Sequence, residues 1–247
     1  MDKFNEHLSA KGIVFACSMY NIQHTVTPVN GKLQVKLECE RPDVEIRYTM
    51  DGKEPTDRSL LYKSPLMVTG TQTIKCTTYR AGRQMGKTLT LPLVWNKATA
   101  KPVLGNTQAG KILVNGIRGS LRQSDFEWHS WESSDSVAFT IDLQKKESLR
   151  SVSVGCITNY GMAAHKPADI EVWVSNDNRD YRKVSGKQFT DGEIFREGTF
   201  KEDVVLDLNK EIGRYVRIIA KGAGECPATH VRPRQEARIY FDEVMIE

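Results

Sequence analysis

Short runs in which apolar and polar residues alternate recur along most of this chain. In KLQVKLEC (32–39), Leu33, Val35 and Leu37 fall on one face, and charged or amide side chains fall on the other. Because successive side chains of a strand point to opposite faces, the pattern predicts half-buried strands. Turn signals such as NG, DG and AG separate these runs, and no helical pattern intervenes, so the sequence predicts an antiparallel β-sandwich. Similar runs follow at 44–49 and 73–79.

A second series of strand patterns follows a stretch without periodicity. Residues 96–111 are rich in small residues, and we predict a linker there. The strand patterns beyond it predict a second, larger β-sandwich. Long loops separate several of its strands, and we expect the chemistry there because loops on a rigid scaffold carry most binding residues. The predicted strands are 137–143, 149–157, 169–175, 203–208, 214–220 and 237–247.

The first 24 residues depart from the strand pattern. Phe4 and Leu8 lie at helical spacing, and Gly12 is a helix stop signal. A single amphipathic helix needs a partner to cover its apolar face, so we predict that it is the end of a preceding domain. The predicted division is therefore 1–24, 25–97 and 98–247, and the fold class is all-β.

Charge and hydropathy exclude several classes of protein. The net charge is +4, with 14 Lys and Arg against 9 Asp and Glu in residues 1–97. Neither part predicts a concentrated basic face, so we expect no nucleic-acid partner. No run approaches the roughly 18 apolar residues of a membrane span, and no signal-peptide pattern opens the chain.

The cysteines predict neither a metal cluster nor a dense disulfide framework. There are five of them, an odd number, and none is spaced as CxxC. Cys39 and Cys76 occupy apolar strand positions and are predicted to be small core thiols. A Cys39–Cys76 disulfide is the alternative.

The loop around Asp51 and Gly52 holds three carboxylates in seven residues, namely Asp51, Glu54 and Asp57. We considered a metal site, half of a catalytic pair and a turn. The spacing does not match a calcium loop, and Pro55 stiffens the segment. Glycosidase carboxylates face each other across a cleft rather than sharing a loop tip. The sequence therefore favours a turn, with Gly52 taking the positive φ.

Residues 44–87 resemble the chitobiase/β-hexosaminidase C-terminal domain. The family's pattern runs as an aromatic residue and Thr, then Asp-Gly, Pro-Thr, Tyr and Pro, a Thr-Ile-Lys strand and a closing Gly turn. The resemblance covers residues 25–95 and implies an immunoglobulin-like, accessory domain without catalytic residues. The matching residues are Tyr48, Thr49, Asp51, Gly52, Pro55, Thr56, Tyr62, Pro65, Thr73, Ile74, Lys75 and Gly82.

Residues 101–247 resemble the discoidin, or coagulation factor type C, fold and carbohydrate-binding module family 32. The resemblance rests on LVNGIRGS (113–120), on Trp128, Trp131 and Asp135, and on the strands FTIDL, PADIEVWV and YFDEVMIE. It implies a galactose-binding-like jelly roll after the immunoglobulin-like domain.

The order of the two domains resembles the C-terminal end of bacterial β-N-acetylhexosaminidases of glycoside hydrolase family 20. This resemblance implies that residues 1–24 are the last helix and exit strand of a catalytic barrel. It implies that barrel as a partner in the same polypeptide and a periplasmic or cell-surface location in a bacterium. It also implies glycans of the N-acetylhexosamine or galactose type as ligands.

The resemblance of residues 101–247 to the discoidin fold implies a structural calcium ion. Its candidate ligands are Asn115, Glu243 and the backbone carbonyls around Arg118 to Ser120. Calcium takes six to eight oxygen ligands and prefers carboxylates. Asn115 stands where the family usually has Asp, which removes one charge. The alternative is that Asn115 and Gly116 form only a turn.

Sugar binding requires an aromatic face for the C–H side of the ring and planar donors for its hydroxyls. Three loops offer such groups. Each has an alternative: the tryptophans as core residues, and the histidines and arginines as solvated loop residues. Thr229 stands where relatives carry an aromatic residue beside the histidine. The candidates are Trp128, Trp131, Asn159, Tyr160, His165, His230, Arg232 and Arg234.

We expect no catalysis from this chain. A (β/α)8 barrel needs about 250 residues. The adjacent acidic pairs are Glu202-Asp203 and Asp242-Glu243, and strand alternation is expected to separate their side chains. Three hypotheses follow: an accessory part of a β-N-acetylhexosaminidase, a glycan-binding module without an enzyme, or a protein- or lipid-binding discoidin module. The last requires apolar residues at loop tips, and Met162 is the clear candidate.

Overall fold

The computed structural model describes residues 18–105, 108–132 and 136–247. The predicted helix around Phe4 and Leu8, and Asp135, lie outside the described residues. Two α-helices, Ala109–Ile112 and Asp191–Ile194, and two 3-10 turns, Ser18–Tyr20 and Tyr160–Met162, accompany the strands of this part of the chain. The strands are β1 Gln23–Val29, β2 Lys32–Glu38, β3 Glu45–Thr49, β4 Leu60–Leu61, β5 Leu66–Val68, β6 Gln72–Arg80, β7 Arg83–Gln84, β8 Leu89–Leu93, β9 Val103–Leu104, β10 His129–Glu132, β11 Ser136–Asn159, β12 Asp169–Ser175, β13 Arg182–Gln188, β14 Thr199–Lys221 and β15 Arg238–Ile246.

The chain divides into two compact units. Among the described residues, one comprises residues 18–26 with Gln34–Leu93, and the other comprises Thr27–Leu33 with the described part of Val94–Glu247. Helices long and apolar enough to cross a membrane are absent from the described segments.

Strands β1 to β8 form two sheets. One has the order β1-β2-β5, and the other has the order β4-β3-β6-β7 with β8 also paired to β6. The alternation predicted for β2 is confirmed, because Leu33, Val35 and Leu37 are buried between neighbours that are exposed or half-buried. In β6, Ile74 and Cys76 are fully buried. The predicted first β-sandwich is therefore confirmed.

The Asp51–Gly52 segment is a turn, as predicted. Gly52 has a φ of +76°, the region that favours glycine. Asp51 pairs with Lys53, with 2.9 Å between Oδ2 and Nζ, whereas Glu54 pairs with Lys75. The carboxylates therefore face separate lysines rather than one shared ligand.

The disulfide alternative for Cys39 and Cys76 is wrong, because both are free thiols. The Cys39 thiol lies 3.3 Å from the carbonyl oxygen of Met19 and donates to it. Cys76 is fully buried, and burial raises the pKa of its thiol to about 12.

The second unit is built on two long antiparallel strands. Its sheet has the order β10-β15-β11-β14-β12-β13, with β9 paired to β11. The β11–β14 ladder runs from Ser136 opposite Lys221 to Asn159 opposite Thr199. Each long strand joins two segments that the sequence predicts as separate strands, and a register shift after Asp142 marks the junction in β11.

The predicted linker at 96–111 is corrected by the structure. Val103–Leu104 pairs with β11, and Ala109–Ile112 is helical. Ala98 and Ala109 are fully buried and belong to the main apolar core. These small residues are therefore packed parts of the second unit. Their size is explained by packing, because only a small side chain fits where the backbone lies close to the core.

Candidate functional site

Two neighbouring loops carry most of the predicted binding residues. The first, residues 159–168, connects β11 to β12, and the second, residues 222–237, connects β14 to β15. The first loop is closed at its base: Asn159 N–H donates to Ala164 O at 2.9 Å, and Ala164 N–H donates back at 3.1 Å. A 3-10 turn, Tyr160–Met162, and a left-handed Ala163 (φ +53°) complete it.

The second loop is closed by backbone hydrogen bonds around Cys226. Cys226 N–H donates to Gln235 O at 2.9 Å, and Arg234 N–H donates to Cys226 O at 3.0 Å. Arg234 adopts a φ of +59°, which turns the chain back toward β15. His230 is held inside the loop, because its N–H donates to Pro227 O at 2.9 Å.

The two loops bring Tyr160, His165 and His230 together with Phe195, which follows the helix Asp191–Ile194. We call these four residues the Tyr160 cluster. The rings of Tyr160 and His230 have centroids 3.9 Å apart, and those of Tyr160 and His165 are 6.1 Å apart. Phe195 packs its edge against His165 at 5.0 Å. Both histidines are buried, whereas Tyr160 is partly exposed.

Hydrogen bonding assigns the tautomers of the two histidines. Nδ1 of His165 lies 3.0 Å from the carbonyl oxygen of Ile194, which only accepts, so this nitrogen carries a proton. Nδ1 of His230 accepts from Arg232 N–H at 2.9 Å, so its proton is on Nε2. The two Nε2 atoms lie 3.2 Å apart, and His230 therefore donates to His165.

Both imidazoles are neutral at physiological pH. Burial lowers the pKa of His165 to about 4, because the charged form loses its hydration. Burial also lowers the pKa of His230. The pair is therefore a hydrogen-bonded unit rather than a source of positive charge.

Arg232 supplies an exposed, oriented guanidinium at the edge of the Tyr160 cluster. Its Nε donates to Gly161 O, and its Nη1 donates to Oε1 of Gln235 at 3.3 Å. Its Nη2 lies 3.5 Å from the sulfur of Met162. Two exposed apolar side chains flank it: Met162 is 49% exposed and Val231 is 66% exposed. Of the other candidates in these loops, Arg234 is exposed and Asn159 is half-buried.

Trp128 and Trp131 lie outside the Tyr160 cluster, and both pack against other groups of the protein. Trp128 is 6% exposed, and its Nε1–H donates to Ser120 O at 3.0 Å. The ring of Trp131 on β10 stacks on that of Phe139, with centroids 6.3 Å apart and planes 9° apart.

Asn115 and Glu243, the candidate calcium ligands, lie on the two sides of Gly116. Oδ1 of Asn115 accepts from Ile117 N–H at 2.8 Å, and Oε2 of Glu243 accepts from Gly116 N–H at 3.0 Å. Oε1 of Glu243 is buried without a well-formed hydrogen bond, and burial raises the pKa of this carboxyl. This orphaned oxygen fits a cation, whereas Asn115 adds no charge. The calcium ion stays a prediction.

The expectation that alternation separates Asp242 from Glu243 is wrong. The register between β11 and β15 changes at this point: Val154 lies opposite Val244, whereas Cys156 lies opposite Phe241. A β-bulge therefore sets two residues of β15 against one residue of β11. Both carboxylates consequently accept hydrogen bonds from the same loop, Glu243 from Gly116 N–H and Asp242 from Gly119 N–H at 2.9 Å.

Asp242 is also ion-paired. Its Oδ2 lies 2.9 Å from Nε of Arg118, and the same guanidinium pairs with Asp203. The adjacent Glu202 instead pairs with Lys166, with 3.0 Å between Oε2 and Nζ. The acidic pairs therefore hold loops to the sheet.

Sequence reasoning missed four residues. Phe195 and Cys226 line the interior of the two loops, and Leu121 and Phe126 are 55% and 93% exposed on the loop before Trp128. The Cys-x3-His spacing of Cys226 and His230 was a usable signal, and so was an isolated phenylalanine within the polar stretch RQSDFE. Phe195 had no sequence signal, because its partners are distant in the chain.

Two β-sandwich domains, the second carrying its polar and aromatic side chains on loops at one edge, define an accessory module of the carbohydrate-binding, discoidin type. Residues 97–232 match the F5/8 type C domain family, and residues 27–90 match the chitobiase/beta-hexosaminidase C-terminal domain. The chain belongs to the F5/8 type C domain family and carries a chitobiase/β-hexosaminidase C-terminal domain before it. No curated protein matches the chain.

Several solved structures are similar to part of the chain. The C-terminal domain of a chitobiase from Bacteroides fragilis is 12% identical, covering 53% of this chain and 76% of its own, with a TM-score of 0.32. A CBM32 module of a GH89 protein from Clostridium perfringens, in complex with GalNAc-β-1,3-galactose, is 16% identical, covering 58% and 86%, with a TM-score of 0.37. Chitosan-binding module 1 of a chitosanase/glucanase from Paenibacillus sp. IK-5 is 14% identical, covering 62% and 98%, with a TM-score of 0.39.

Proposed function

We propose that the second unit binds glycans at the surface formed by Tyr160, Arg232, Met162 and Val231, which we call the Tyr160 surface. The observation that carries the proposal is a partly exposed aromatic ring one residue away from the anchor of an oriented guanidinium. The Tyr160 ring packs on that of His230, and Nε of Arg232 donates to the carbonyl oxygen of Gly161, the residue after Tyr160. An aromatic ring suits the C–H face of a sugar, and a planar array of donors suits its hydroxyls.

The surface is preorganised. Arg232 is held by Gly161, Gln235 and Met162, so little side-chain entropy remains to be lost on binding. The backbone of both loops is closed at its base by hydrogen bonds. Met162 and Val231, which adjoin Gly161 and Arg232 in the sequence, add exposed apolar area to the two loops.

Other aromatic rings of the second unit suit stacking less well. Phe189, Phe200 and Tyr181 each carry a cation over the ring, 4.7, 3.6 and 3.6 Å from the centroid. A ring face covered by an ammonium or guanidinium group is not open to a sugar. Trp128 and Trp131 are packed against the protein itself.

The family match and the chitobiase C-terminal domain beside it support a finer proposal. The chain is the non-catalytic C-terminal part of a bacterial β-N-acetylhexosaminidase of glycoside hydrolase family 20, periplasmic or at the cell surface, and it packs on the catalytic barrel of the same polypeptide. Its glycans are of the N-acetylhexosamine or galactose type. A calcium ion held near Gly116 by Glu243 and backbone carbonyls supports the loop of residues 115–120.

A second candidate function is protein or lipid binding by a discoidin-type module. The observation that favours it is the loop that exposes Phe126 (93%) and Leu121 (55%). Exposed aromatic and aliphatic residues at a loop tip suit an apolar partner.

A glycan array followed by calorimetry on the purified chain tests the proposal. Binding of N-acetylhexosamine- or galactose-terminated glycans is expected, with Tyr160→Ala and Arg232→Ala each weakening it at least about tenfold. Arg182→Ala, an exposed arginine of β13, is the matched control and is expected to bind as the wild type does. If neither Tyr160→Ala nor Arg232→Ala weakens glycan binding, the assignment of the binding surface is wrong. Binding to vesicles that is lost in Phe126→Ala, without glycan binding, favours the second candidate. Hydrolysis of an N-acetylglucosaminide by the purified chain contradicts a non-catalytic role.

A further inference from the structure

Three metal-ligating side chains converge beneath the Tyr160 surface. One donor atom from each of His165, Cys226 and His230 lies within 4.8 Å of the other two, and all three residues are buried. Cys226 and His230 come from one loop, and His165 comes from the other. Cys226 and His230 are four residues apart in the sequence. The backbone hydrogen bonds that close the second loop hold these two residues in place.

The spacing suits a tetrahedral ion. Two imidazole nitrogens bound at about 2.0–2.1 Å to a tetrahedral zinc ion are about 3.3 Å apart. The Nε2 atoms of His165 and His230 are 3.2 Å apart. A thiolate at about 2.3 Å from the same ion lies about 3.6 Å from each nitrogen. One donor atom of each of the three residues already lies within 4.8 Å of the other two, so the three side chains are close enough to share one ion after local adjustment.

We propose that His165, Cys226 and His230 form a binding site for a zinc-type divalent cation, with three protein ligands and a fourth position open. Two imidazoles and a thiolate are borderline-soft donors, which select zinc over calcium or magnesium. This site is distinct from the calcium position near Glu243. The proposal does not rest on glycan binding, so either proposal can fail without the other.

The surroundings of the three ligands support a bound ion. Nδ1–H of His165 donates to Ile194 O, which is the outer contact that typically orients a metal-ligating histidine and directs its other nitrogen inward. Ala163, Ala237 and Phe195 pack around Cys226. An apolar shell of this kind excludes water and strengthens the attraction between thiolate and cation.

The proton balance of binding follows from the tautomers. The Cys226 thiol releases its proton to solvent and binds as the thiolate. The proton on Nε2 of His230 moves to Nδ1, so that nitrogen no longer accepts from Arg232 N–H. Each ion bound therefore releases one proton, and the backbone at Arg232 must shift to find another acceptor.

Zinc and cobalt titrations of the chain, prepared without a histidine tag, test this site. We expect one equivalent of Zn²⁺ per chain in competition with a chromophoric chelator. Co²⁺ is expected to give the ligand-field bands of tetrahedral coordination and a thiolate charge-transfer band. Cys226→Ser is expected to abolish that thiolate band, and His230→Ala to weaken Zn²⁺ binding at least about tenfold. The matched controls are Cys39→Ser and His129→Ala, a thiol and an imidazole outside the cluster, which are expected to change neither measurement.

A second measurement avoids substitutions that disturb folding. Zn²⁺ is expected to slow alkylation of Cys226 in the wild-type chain, followed by mass spectrometry, while Ca²⁺ leaves the rate unchanged. Less than one equivalent bound, a cobalt spectrum without a thiolate band, or an alkylation rate at Cys226 that Zn²⁺ does not alter would each overturn the proposal.

Discussion

Gly155 of β11 lies directly against the carboxylate of Asp242 on β15, and a Cβ atom at Gly155 would come within 2.8 Å of Cγ of Asp242. The Arg118 guanidinium occupies the same space, with Nη2 2.6 Å from that Cβ position. Only a residue without a side chain allows the bulge of β15 to turn both of its carboxylates toward the loop 115–119.

Gly155→Ala is therefore expected to destabilise the second unit by about 1–3 kcal/mol, because the added methyl group must displace a buried ion pair. Urea unfolding followed by circular dichroism measures the change. Gly192→Ala is the control: nothing lies within 4 Å of its Cβ position, and alanine favours the helix there. Equal stability of Gly155→Ala and the wild type would contradict the argument.

Arg118→Ala is expected to cost about 3–5 kcal/mol, because it leaves the fully buried Asp242 without its counter-charge. Arg182→Ala, which removes an exposed pair with Glu211, is expected to change stability little. The two free energies of unfolding are compared at the same pH and salt. A small effect at Arg118 would show that the backbone N–H groups of Gly119 and Glu243 are enough to satisfy Asp242.

Asp142 on β11 should contribute to acid sensitivity. Hydrogen bonding to Arg214, at 2.8 and 2.9 Å, lowers the pKa of Asp142 in the folded state. Its contribution to stability is present above the unfolded pKa of about 3.9 and is lost as the pH falls through the lower folded value.

Asp142→Asn is thus expected to lose about 0.5–1 kcal/mol at pH 7, and the wild type and the variant should converge in acid. Thermal unfolding between pH 7 and pH 2 measures the difference. A difference in stability between the wild type and Asp142→Asn that increases below pH 4 would contradict the expected pH dependence.

Cys39 and Cys76 should differ in reactivity toward thiol reagents. Cys39 is half-buried, whereas Cys76 is buried and its pKa is raised to about 12 by burial. We expect Cys39 to be alkylated in the folded protein and Cys76 only after unfolding, because the thiolate is the reactive form. Mass spectrometry resolves the two sites, and comparable rates would contradict the burial of Cys76.

Calcium is expected to raise the midpoint of thermal unfolding, by an amount equivalent to about 2.7 kcal/mol at 100 times Kd. Glu243→Gln should remove this shift, whereas Glu225→Gln, an exposed glutamate, should keep it. A wild-type midpoint that is the same in calcium and in chelator would exclude the ion.

The sequence predicted the fold class well, because burial on one face imposes a period of two. The strand Asp169–Ser175 was predicted at its observed bounds. The long strands were each predicted as two, because turn-forming residues such as Gly213 interrupt the pattern while the ladder continues through a register shift. Small residues at 96–111 indicated a linker, yet Ala98 and Ala109 are small because they are packed.

The candidate site was predictable only in part. Polar and aromatic residues in three loops were identifiable, since loops between strands carry binding residues. Their contacts were not, because Tyr160, His165 and His230 meet through loop closures that involve Ala163 in a left-handed conformation, which no local pattern indicates. The bulge at Asp242 was also hidden, because the space for the Asp242 carboxylate depends on Gly155 of the neighbouring strand.

The long ladder between β11 and β14 has a consequence for how this sandwich can be cut and varied. Its rungs run in chain order from Ser136 opposite Lys221 at one end to Asn159 opposite Thr199 at the other, with register shifts after Asp142 and after Leu149. A fragment that stops within either strand leaves the remainder of its partner with exposed amides and apolar side chains. The sandwich therefore cannot be divided within these two strands. Sequence variation is expected in the edge loops, because the strands that hold those loops must be kept together.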